Sequence, residues 1–304
     1  MDSKTILFGG SGLLGPFILE KYPSIVSVGR TPPPSYVQNK HITIDMDHLE
    51  ALDSLDFDKV IFLIGNSNHH QINTSPAMGL DFNVTPLKKV LFYLQKRKIK
   101  KFICFSTILL YDIHKMKIPV DENQPTTPYL NEYVFSKYLS EEVVRFYKNT
   151  VPTIVVRFSN IYGPSKLIRP DLVPTLIQKC LSPFDVSVWS KKPVRDFIYL
   201  DDAAEAIVKL LDTPYTGPIN LGSGSSVSVE ELTAILEKLS GKKIKDLGKE
   251  VSGPMNFCTD ISKVTDLTGW KPKHSIEEGL TITYERMKGW AEECRWWEVP
   301  GFPK

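Results

Sequence analysis

Thr5-Ile-Leu-Phe8-Gly9-Gly-Ser-Gly12-Leu-Leu-Gly15 is the stretch of sequence from which the fold can be predicted. It opens with a short apolar run, Thr5–Phe8, which is typical of a buried parallel strand. Glycines follow at the spacing of a dinucleotide-binding turn, and the pattern over 16–22 predicts a helix. Glycine lets the chain turn sharply and lets a pyrophosphate approach the backbone amides. We therefore expect the pyrophosphate of a dinucleotide to bind the turn at Gly9, Gly12, Leu13, Leu14 and Gly15.

The residue after the second predicted strand, 24–28, bears on which dinucleotide binds. An acidic residue there usually holds the ribose hydroxyls of NAD, whereas an arginine suits the 2′-phosphate of NADP. Arg30 occupies this position, and no Asp or Glu occurs between residues 21 and 40. The sequence therefore predicts NADP as the cofactor rather than NAD. A third predicted strand, 41–47, would supply further cofactor contacts near the adenine from Asp45 and Met46.

Composition excludes several classes of protein. With 304 residues, 42% of them hydrophobic and 24% charged, the chain has room for one large globular domain or two small ones. A net charge of +2 favours neither nucleic acid nor an acidic membrane surface. The cysteines form no CxxC pair, and no apolar run reaches the ~20 residues that cross a bilayer. We expect a cytoplasmic protein that binds no metal, no nucleic acid and no membrane.

A tyrosine and a lysine lie four residues apart in Tyr133-Val-Phe-Ser-Lys137. On a helix this spacing places both side chains on one face. A free phenol has a pKa near ~10, and a neighbouring ammonium favours the phenolate and lowers that pKa. The pair can therefore act as an acid/base couple on a carbonyl or an alcohol. Because such pairs are also common on solvated helices, the other motifs decide between the two interpretations.

Polar residues follow the fourth and fifth predicted strands. Ser106 and Thr107 follow the fifth strand, 102–105, and Tyr111 comes four residues after Thr107. Because side chains at the carboxyl ends of parallel strands face the ligand crevice, a hydroxyl here can contact a substrate oxygen. His69 and His70 follow the fourth strand, with no Asp, Glu or Cys nearby at metal-ligand spacing. We predict that these histidines are solvated loop residues.

Taken together, the motifs resemble the extended short-chain dehydrogenase/reductases that act on nucleotide-activated sugars. They run in family order from residue 5 to about 280. The matching pieces are the glycine turn, the strand 60–64, Ser106-Thr107 with Tyr111, Tyr133-xxx-Lys137, Arg157-Phe-Ser-Asn160-Ile-Tyr-Gly-Pro164, Arg195-Asp-Phe-Ile-Tyr-Leu-Asp-Asp202, Asn220-Leu-Gly-Ser-Gly224 and Gly269-Trp-Lys-Pro272.

The resemblance implies roles for particular residues. Thr107, Tyr133 and Lys137 would form the catalytic set, and Lys137 would also bind the nicotinamide ribose. Thr107 would contact the substrate as well, while Asn160 and Arg195 would bind the diphosphate of the nucleotide sugar. The planar guanidinium of arginine suits phosphate oxygens. The resemblance also implies a homodimer, paired through the predicted helices 80–98 and 133–149.

Two further patterns are interpreted as helix starts rather than as site residues. Asp201 and Asp202 precede the helical run 203–211, so we predict that they cap its N-terminus. Ser228 and Glu231 have the spacing of a capping box.

Departures from the family pattern reduce the number of reactions that we expect this protein to catalyse. Dehydratases carry Asp and Glu after the catalytic threonine, where this chain has Ile108 and Leu109. Fucose-forming epimerase-reductases carry a cysteine where Ile108 stands. Segment 250–256 also lacks the Arg and Asp that help many members to bind the nucleotide. Two activities remain as hypotheses, an NADPH-dependent 4-ketoreductase and a 4-epimerase, and Arg30 favours the reductase. A non-catalytic NADP sensor is a third hypothesis, which the Tyr-Lys pair disfavours.

We therefore predict an α/β fold: a Rossmann-like, doubly wound parallel sheet with a smaller C-terminal α+β lid over the substrate. Residues 1–162 and 194–222 would form the dinucleotide-binding domain. Residues 163–193 and 223–304 would form the lid, and the cleft between the two would bind the nucleotide-diphosphate sugar.

Overall fold

The computed structural model describes residues 5–251, 253–299 and 302. The ends of the predicted domain ranges, 1–4 and 303–304, lie outside the described residues. The strands are β1 (Thr5–Phe8), β2 (Val26–Gly29), β3 (His41–Thr43), β4 (Lys59–Phe62), β5 (Lys101–Thr107), β6 (Thr153–Phe158), β7 (Asn160–Tyr162), β8 (Val186–Val188), β9 (Val194–Tyr199), β10 (Gly217–Leu221), β11 (Ser226–Ser228) and β12 (Ile244–Asp246).

The helices alternate with these strands along the first two thirds of the chain. They are α1 (Gly15–Lys21), α2 (His69–Thr74), α3 (Ala77–Gly79), α4 (Thr85–Leu94), α5 (Glu132–Tyr147), α6 (Leu172–Leu181), α7 (Leu200–Leu210), α8 (Val229–Ser240), α9 (Ser262–Thr268) and α10 (Ile276–Cys294). Short 3₁₀ turns span Leu49–Leu52, Ile108–Leu110 and Trp296–Glu298, and a π-helical turn spans Leu80–Val84.

The central sheet has seven parallel strands in the order β10-β6-β5-β4-β1-β2-β3. The order 3-2-1-4-5-6 within it is that of doubly wound dinucleotide-binding folds, and β10 adds a seventh strand beside β6. The predicted Rossmann-like fold is confirmed. In such a sheet the chain changes direction between β1 and β4, which opens a crevice at their carboxyl ends.

Helices cover both faces of the sheet. One apolar layer joins α1 and α7 to the sheet, with Ile18 and Ile207 fully buried in it. The other joins α4 and α5 to the opposite face, around Leu91 and Val144. Strands that are buried on both faces are continuously apolar. That is why the first strand could be recognised as Thr5–Phe8, every residue of which is buried.

Two smaller sheets lie outside the central one. They have the orders β11-β9-β7 and β12-β8. Helices α6, α8 and α10 surround a third apolar cluster that contains Leu176, Leu236 and Met287. Residues 194–222 divide between two sheets, because β9 pairs with β7 and β11 whereas β10 returns to the central sheet. The exact partition into two domains stays a prediction.

One predicted helix has different bounds in the structure. The helix predicted over 80–98 consists of the π-helical turn followed by α4, which begins beside Pro86 and ends at Leu94. Proline lacks the N–H that would continue a regular helical hydrogen-bond pattern from the preceding turn.

The capping box at Ser228 and Glu231 is confirmed, because each side chain accepts a hydrogen bond from the other residue's backbone N–H.

The prediction that Asp201 and Asp202 cap α7 is wrong. The helix begins at Leu200, and both aspartates lie within its first turn. Asp201 pairs with Lys21 at 2.7 Å. The buried Asp202 carboxylate accepts a hydrogen bond from the backbone N–H of His274 at 3.1 Å and contacts the Nδ1 atom of its ring at 3.0 Å. The two carboxylates therefore tie α7 to other elements, which sequence spacing alone does not show.

Candidate active site

Helix α5 carries the tyrosine and the lysine into the interior of the protein. The side chain of Asn131 caps the helix by accepting a hydrogen bond from the N–H of Val134 at 3.0 Å. Tyr133 is 5% exposed and Lys137 is 9% exposed, and both line one cavity. The Nζ atom of Lys137 donates to the carbonyl oxygen of Phe105 in β5 at 3.2 Å. The helical spacing therefore places the pair on one face, as predicted, and that face is buried.

The end of β5 brings hydroxyl groups to the same cavity. Thr107 is buried, and its Oγ1 accepts a hydrogen bond from the N–H of Leu109 at 3.2 Å. Its side chain also lies near the phenol of Tyr133 and lowers the pKa of that group. Ser106 has a buried hydroxyl that has no partner in the described part of the chain. An unpartnered hydroxyl beside the cavity is a group that a bound ligand could satisfy.

The cavity has a volume of about 320 Å³ and collects most of the residues that the sequence predicted. Its lining joins one side of the glycine turn to the ends of β5, β7 and β9. The predicted site residues that line it are Gly12, Leu13, Leu14, Thr107, Tyr133, Lys137, Asn160 and Arg195.

The remaining predicted cofactor residues lie away from this lining. Gly9 and Gly15 belong to the glycine turn but do not line the cavity. Arg30 is exposed directly after β2, and no described carboxylate forms an ion pair with it. Asp45 is exposed and accepts a hydrogen bond from the N–H of Asp47 at 3.0 Å. Met46 packs against the apolar layer beneath α4.

The glycine turn has the shape that a dinucleotide requires. Gly9 has φ +88°, a conformation that favours glycine, and a Cβ on Gly15 would lie 2.6 Å from the carbonyl oxygen of Gly10. The turn therefore brings bare backbone next to the cavity, where Gly12 and Leu13 line it. This cradle and the unpartnered hydroxyl of Ser106 fit a bound dinucleotide.

Burial controls the charge of Tyr133 and Lys137. It raises the pKa of Tyr133 above the ordinary value of a phenol, and Asp171 raises it further, against smaller opposite effects of Thr107 and Arg169. The predicted lowering of this pKa is wrong, because desolvation disfavours the phenolate more than nearby donors stabilise it. Burial also lowers the pKa of Lys137 to about 8. Tyr133 is therefore held as a neutral phenol, which is a proton donor.

The predicted diphosphate ligands, Asn160 and Arg195, are partly committed to the protein. The Nδ2 of Asn160 donates to the carbonyl oxygen of Asp196 at 2.8 Å. Arg195 uses Nη1 for the carbonyl oxygens of Val194 and Met255, at 3.1 and 2.9 Å. Its other guanidinium nitrogens make no hydrogen bond with the described residues, and burial lowers its pKa. Arg195 therefore retains donors on the cavity side.

Three residues of the site were missed from the sequence: His69, Arg169 and Asp171. His69 was predicted to be a solvated loop residue, but it begins α2 and its ring stacks on Tyr133. Arg169 donates through Nε to Asp171 at 2.6 Å and through Nη2 to the hydroxyl of Ser67 at 3.2 Å. His69 lies 100 positions before Arg169, so only tertiary packing brings it to the other two residues. The RPD sequence at 169–171 was the one local signal.

Tyr111 is not a substrate contact. Its hydroxyl donates to Oδ1 of Asn220 at 2.7 Å and accepts from Nη1 of Arg157 at 3.1 Å. It is fully buried beneath the sheet edge and does not line the cavity. Its place in the motif therefore reflects packing between β5, β6 and β10.

Two classes of site are not formed by the described residues. No group of three His, Cys, Asp or Glu side chains among residues 5–251, 253–299 and 302 is arranged to hold a metal ion. Over the same residues, no helix combines the length and the apolar character needed to cross a membrane.

Comparison with known proteins places these features in context. Residues 5–222 match the model of the NAD dependent epimerase/dehydratase family. The chain is 27% identical over 309 residues to GDP-L-fucose synthase 1 of Arabidopsis thaliana, covering 93% of each chain. It is 28% identical over 272 residues to UDP-glucuronate 4-epimerase of Thermodesulfobacterium geofontis, covering 84% of this chain and 80% of the relative. Its fold is similar to a crystal structure of UDP-glucuronic acid 4-epimerase from Bacillus cereus in complex with UDP-glucuronic acid and NAD, with a TM-score of 0.81, 24% identity and coverage of 94% and 99%.

Proposed function

The chain belongs to the NAD-dependent epimerase/dehydratase family, and on that premise we propose that it reduces the C4 ketone of a nucleotide-diphosphate sugar with NADPH. One observation carries this proposal: Thr107, Tyr133 and Lys137 converge beside the glycine turn in a single cavity. A buried neutral phenol next to a dinucleotide cradle is suited to protonating the oxygen of a ketone whose carbon receives a hydride.

The nicotinamide of the bound cofactor supplies the hydride. Tyr133 donates its proton to the ketone oxygen, and the hydroxyl of Thr107 holds that oxygen in line. Lys137 has a pKa of about 8, so near neutral pH it is mostly the ammonium and supports the charge that develops on the phenol. Desolvation of the cavity strengthens each of these contacts.

The sugar nucleotide would bind along the ends of β7 and β9. Arg195 has guanidinium nitrogens without protein partners and lies in the cavity lining, where they can bind diphosphate oxygens. Asn160 lies beside it, with its Nδ2 fixed by Asp196 and its Oδ1 open to a hydroxyl donor.

Arg30 supports NADP as the cofactor. It is exposed, forms no ion pair with a described carboxylate, and directly follows β2, where an arginine suits the 2′-phosphate of NADP. A charge-assisted hydrogen bond contributes about 1.5–3 kcal/mol, so Arg30→Ala should weaken NADP binding roughly tenfold to a hundredfold. NAD affinity should stay the same. Calorimetric titration with both dinucleotides tests this, and equal losses for the two would contradict it.

A 4-epimerase is the second candidate, because a relative in sequence and a neighbour in structure are UDP-glucuronate 4-epimerases. The same catalytic set would remove and return the hydride at C4, since one tyrosine can act as base and then as acid. Such an enzyme would keep its cofactor through the cycle.

One experiment separates the two candidates. Purified protein is incubated with NADPH and a nucleoside-diphosphate 4-keto-6-deoxysugar, and in parallel with UDP-hexoses. The reductase predicts stoichiometric NADPH oxidation and a reduced sugar in the first incubation alone. Interconversion of UDP-hexose epimers without net cofactor change would assign the epimerase instead. Absence of both reactions would contradict the proposal.

We also propose a homodimer formed through α4 and α5. Both helices carry exposed aromatic side chains, and Phe92 and Phe146 are 55% and 81% exposed. Apolar side chains at these positions favour burial against a second copy. Sedimentation at working concentration should give a dimer, and a monomer throughout the concentration range would contradict the pairing.

A further inference from the structure

The ring of His69 lies on the ring of Tyr133. Their centroids are 4.0 Å apart and the ring planes differ by 21°, which describes a stacked pair. His69 is the first residue of α2, and the side chain of Asn68 caps that helix by accepting from the N–H of Gln71 at 3.1 Å. The backbone of this histidine is therefore fixed at the start of α2, and its side chain lines the cavity.

A second contact joins the same two helices. Oδ1 of Asn73, in the last turn of α2, accepts a hydrogen bond from the backbone N–H of Tyr133 at 3.2 Å. The neighbouring Ile72 is fully buried and belongs to the same apolar cluster as Tyr133 and Val134. Helix α2 is therefore attached to the start of α5, and this attachment holds the imidazole beside the phenol.

The charged groups that face His69 come from two other elements. Asp171 and Arg169 approach from the segment before α6, and Lys137 approaches from α5. Burial is the largest influence and lowers the pKa of His69, so the ring is neutral near pH 7. A neutral ring covers the phenol without adding a positive charge that would promote its ionisation.

We propose that His69 is a positioning residue for Tyr133: its stacked ring fixes the phenol and excludes water from one face of it. The proposal rests on the proposed function, since it concerns the proton donor of that reaction. Aromatic pairs in this geometry stabilise one another beyond simple burial. A tyrosine held in this way keeps its proton and presents it in one direction.

The test compares two substitutions that separate the ring from its nitrogens. His69→Phe keeps an aromatic ring, and His69→Ala removes it. The matched control is His70→Ala, whose exposed side chain lies outside the cavity lining. Thermal unfolding of each variant establishes that it is folded before the other measurements are made.

The first readout is independent of turnover. Proteins labelled with ¹³C-tyrosine are titrated by NMR, with Tyr133→Phe used to assign the signal. In the wild type, Tyr133 should stay protonated above about pH 10, where an ordinary tyrosine is half ionised. In His69→Ala its titration should move down towards that value, while in His69→Phe and His70→Ala it should not move. An unmoved titration in folded His69→Ala would overturn the proposal.

The second readout is steady-state kinetics. Misplacing a reacting group by about 1 Å costs up to ~100-fold in rate, so kcat of His69→Ala should fall between about tenfold and a hundredfold with KM nearly unchanged. His69→Phe should restore most of kcat. Equal losses in the Phe and Ala variants would also overturn the proposal, because a nitrogen rather than the ring would then be needed. If no protein turned over, the proposed function would fail while the NMR titration still tested the stack.

Discussion

Replacing Gly15 by alanine tests the glycine turn. A Cβ at Gly15 would lie 2.6 Å from the carbonyl oxygen of Gly10 and 2.7 Å from its carbonyl carbon and Cα. Real Cβ atoms essentially never approach closer than 3.0 Å, so α1 and the turn would have to separate by at least 0.4 Å, the difference of the two distances. The obstacle is backbone, which cannot rotate away as a flexible side chain can.

Overpacking of this kind costs about 1–3 kcal/mol of folding free energy. The shift also moves the backbone amides that would face the pyrophosphate. Losing one charge-assisted hydrogen bond of about 1.5–3 kcal/mol would weaken dinucleotide binding roughly tenfold or more. We therefore expect Gly15→Ala to lower both the unfolding free energy and the affinity for NADP.

Gly289 is the matched control. It lies in the exposed middle of α10, and a Cβ there would meet nothing within 4 Å. Alanine is favoured over glycine in a helix interior by about 0.8–1.0 kcal/mol, so Gly289→Ala should stabilise the protein and leave binding unchanged. Urea unfolding and calorimetric titration measure the two effects. A Gly15→Ala protein with wild-type stability and affinity would refute the packing described for this turn.

Two further predictions concern buried charges. Glu141 accepts hydrogen bonds from Nε and Nη2 of buried Arg157 at 3.0 and 2.7 Å. Glu141→Gln leaves the buried guanidinium uncompensated, so it should lower the free energy of unfolding, measured in urea, by about 3–5 kcal/mol. A loss of unfolding free energy smaller than that caused by breaking an exposed ion pair would contradict this prediction. The second concerns Lys137, whose pKa falls from 10.5 in the unfolded chain to about 8 in the folded protein. Between pH 8 and pH 10.5 the unfolded chain therefore binds more protons than the folded protein, so the free energy of unfolding rises with pH over this range. The Lys137→Met variant should lack this rise. If its free energy of unfolding depended on pH in the same way as that of the wild type, the lowered pKa of Lys137 would be contradicted.

The sequence predicted what local patterns determine. The glycine turn and the apolar strand before it specify the first β-α unit, and the spacing of Tyr133 and Lys137 places them on one helical face. Their common cavity follows from the rule that ligands bind at the carboxyl ends of parallel strands. These features need no knowledge of distant contacts.

What the sequence did not predict depends on packing between distant segments. His69 lies 64 positions before Tyr133, and nothing in its neighbourhood indicates that the two rings stack. The raised pKa of Tyr133 depends on burial, which spacing alone does not determine. Tyr111 and Asp202 occupy motif positions but are used for packing, since their partners, Asn220 and His274, come from other elements.

We propose that the phenol of Tyr133 transfers the proton in a hydride-transfer reaction on a nucleotide sugar. The most direct measurement is the turnover rate of Tyr133→Phe, made on protein whose dinucleotide affinity is measured in the same preparation. Removing the acid should lower kcat by about 10²–10⁴-fold, with the dissociation constant for NADP nearly unchanged. Turnover at the wild-type rate would contradict the account.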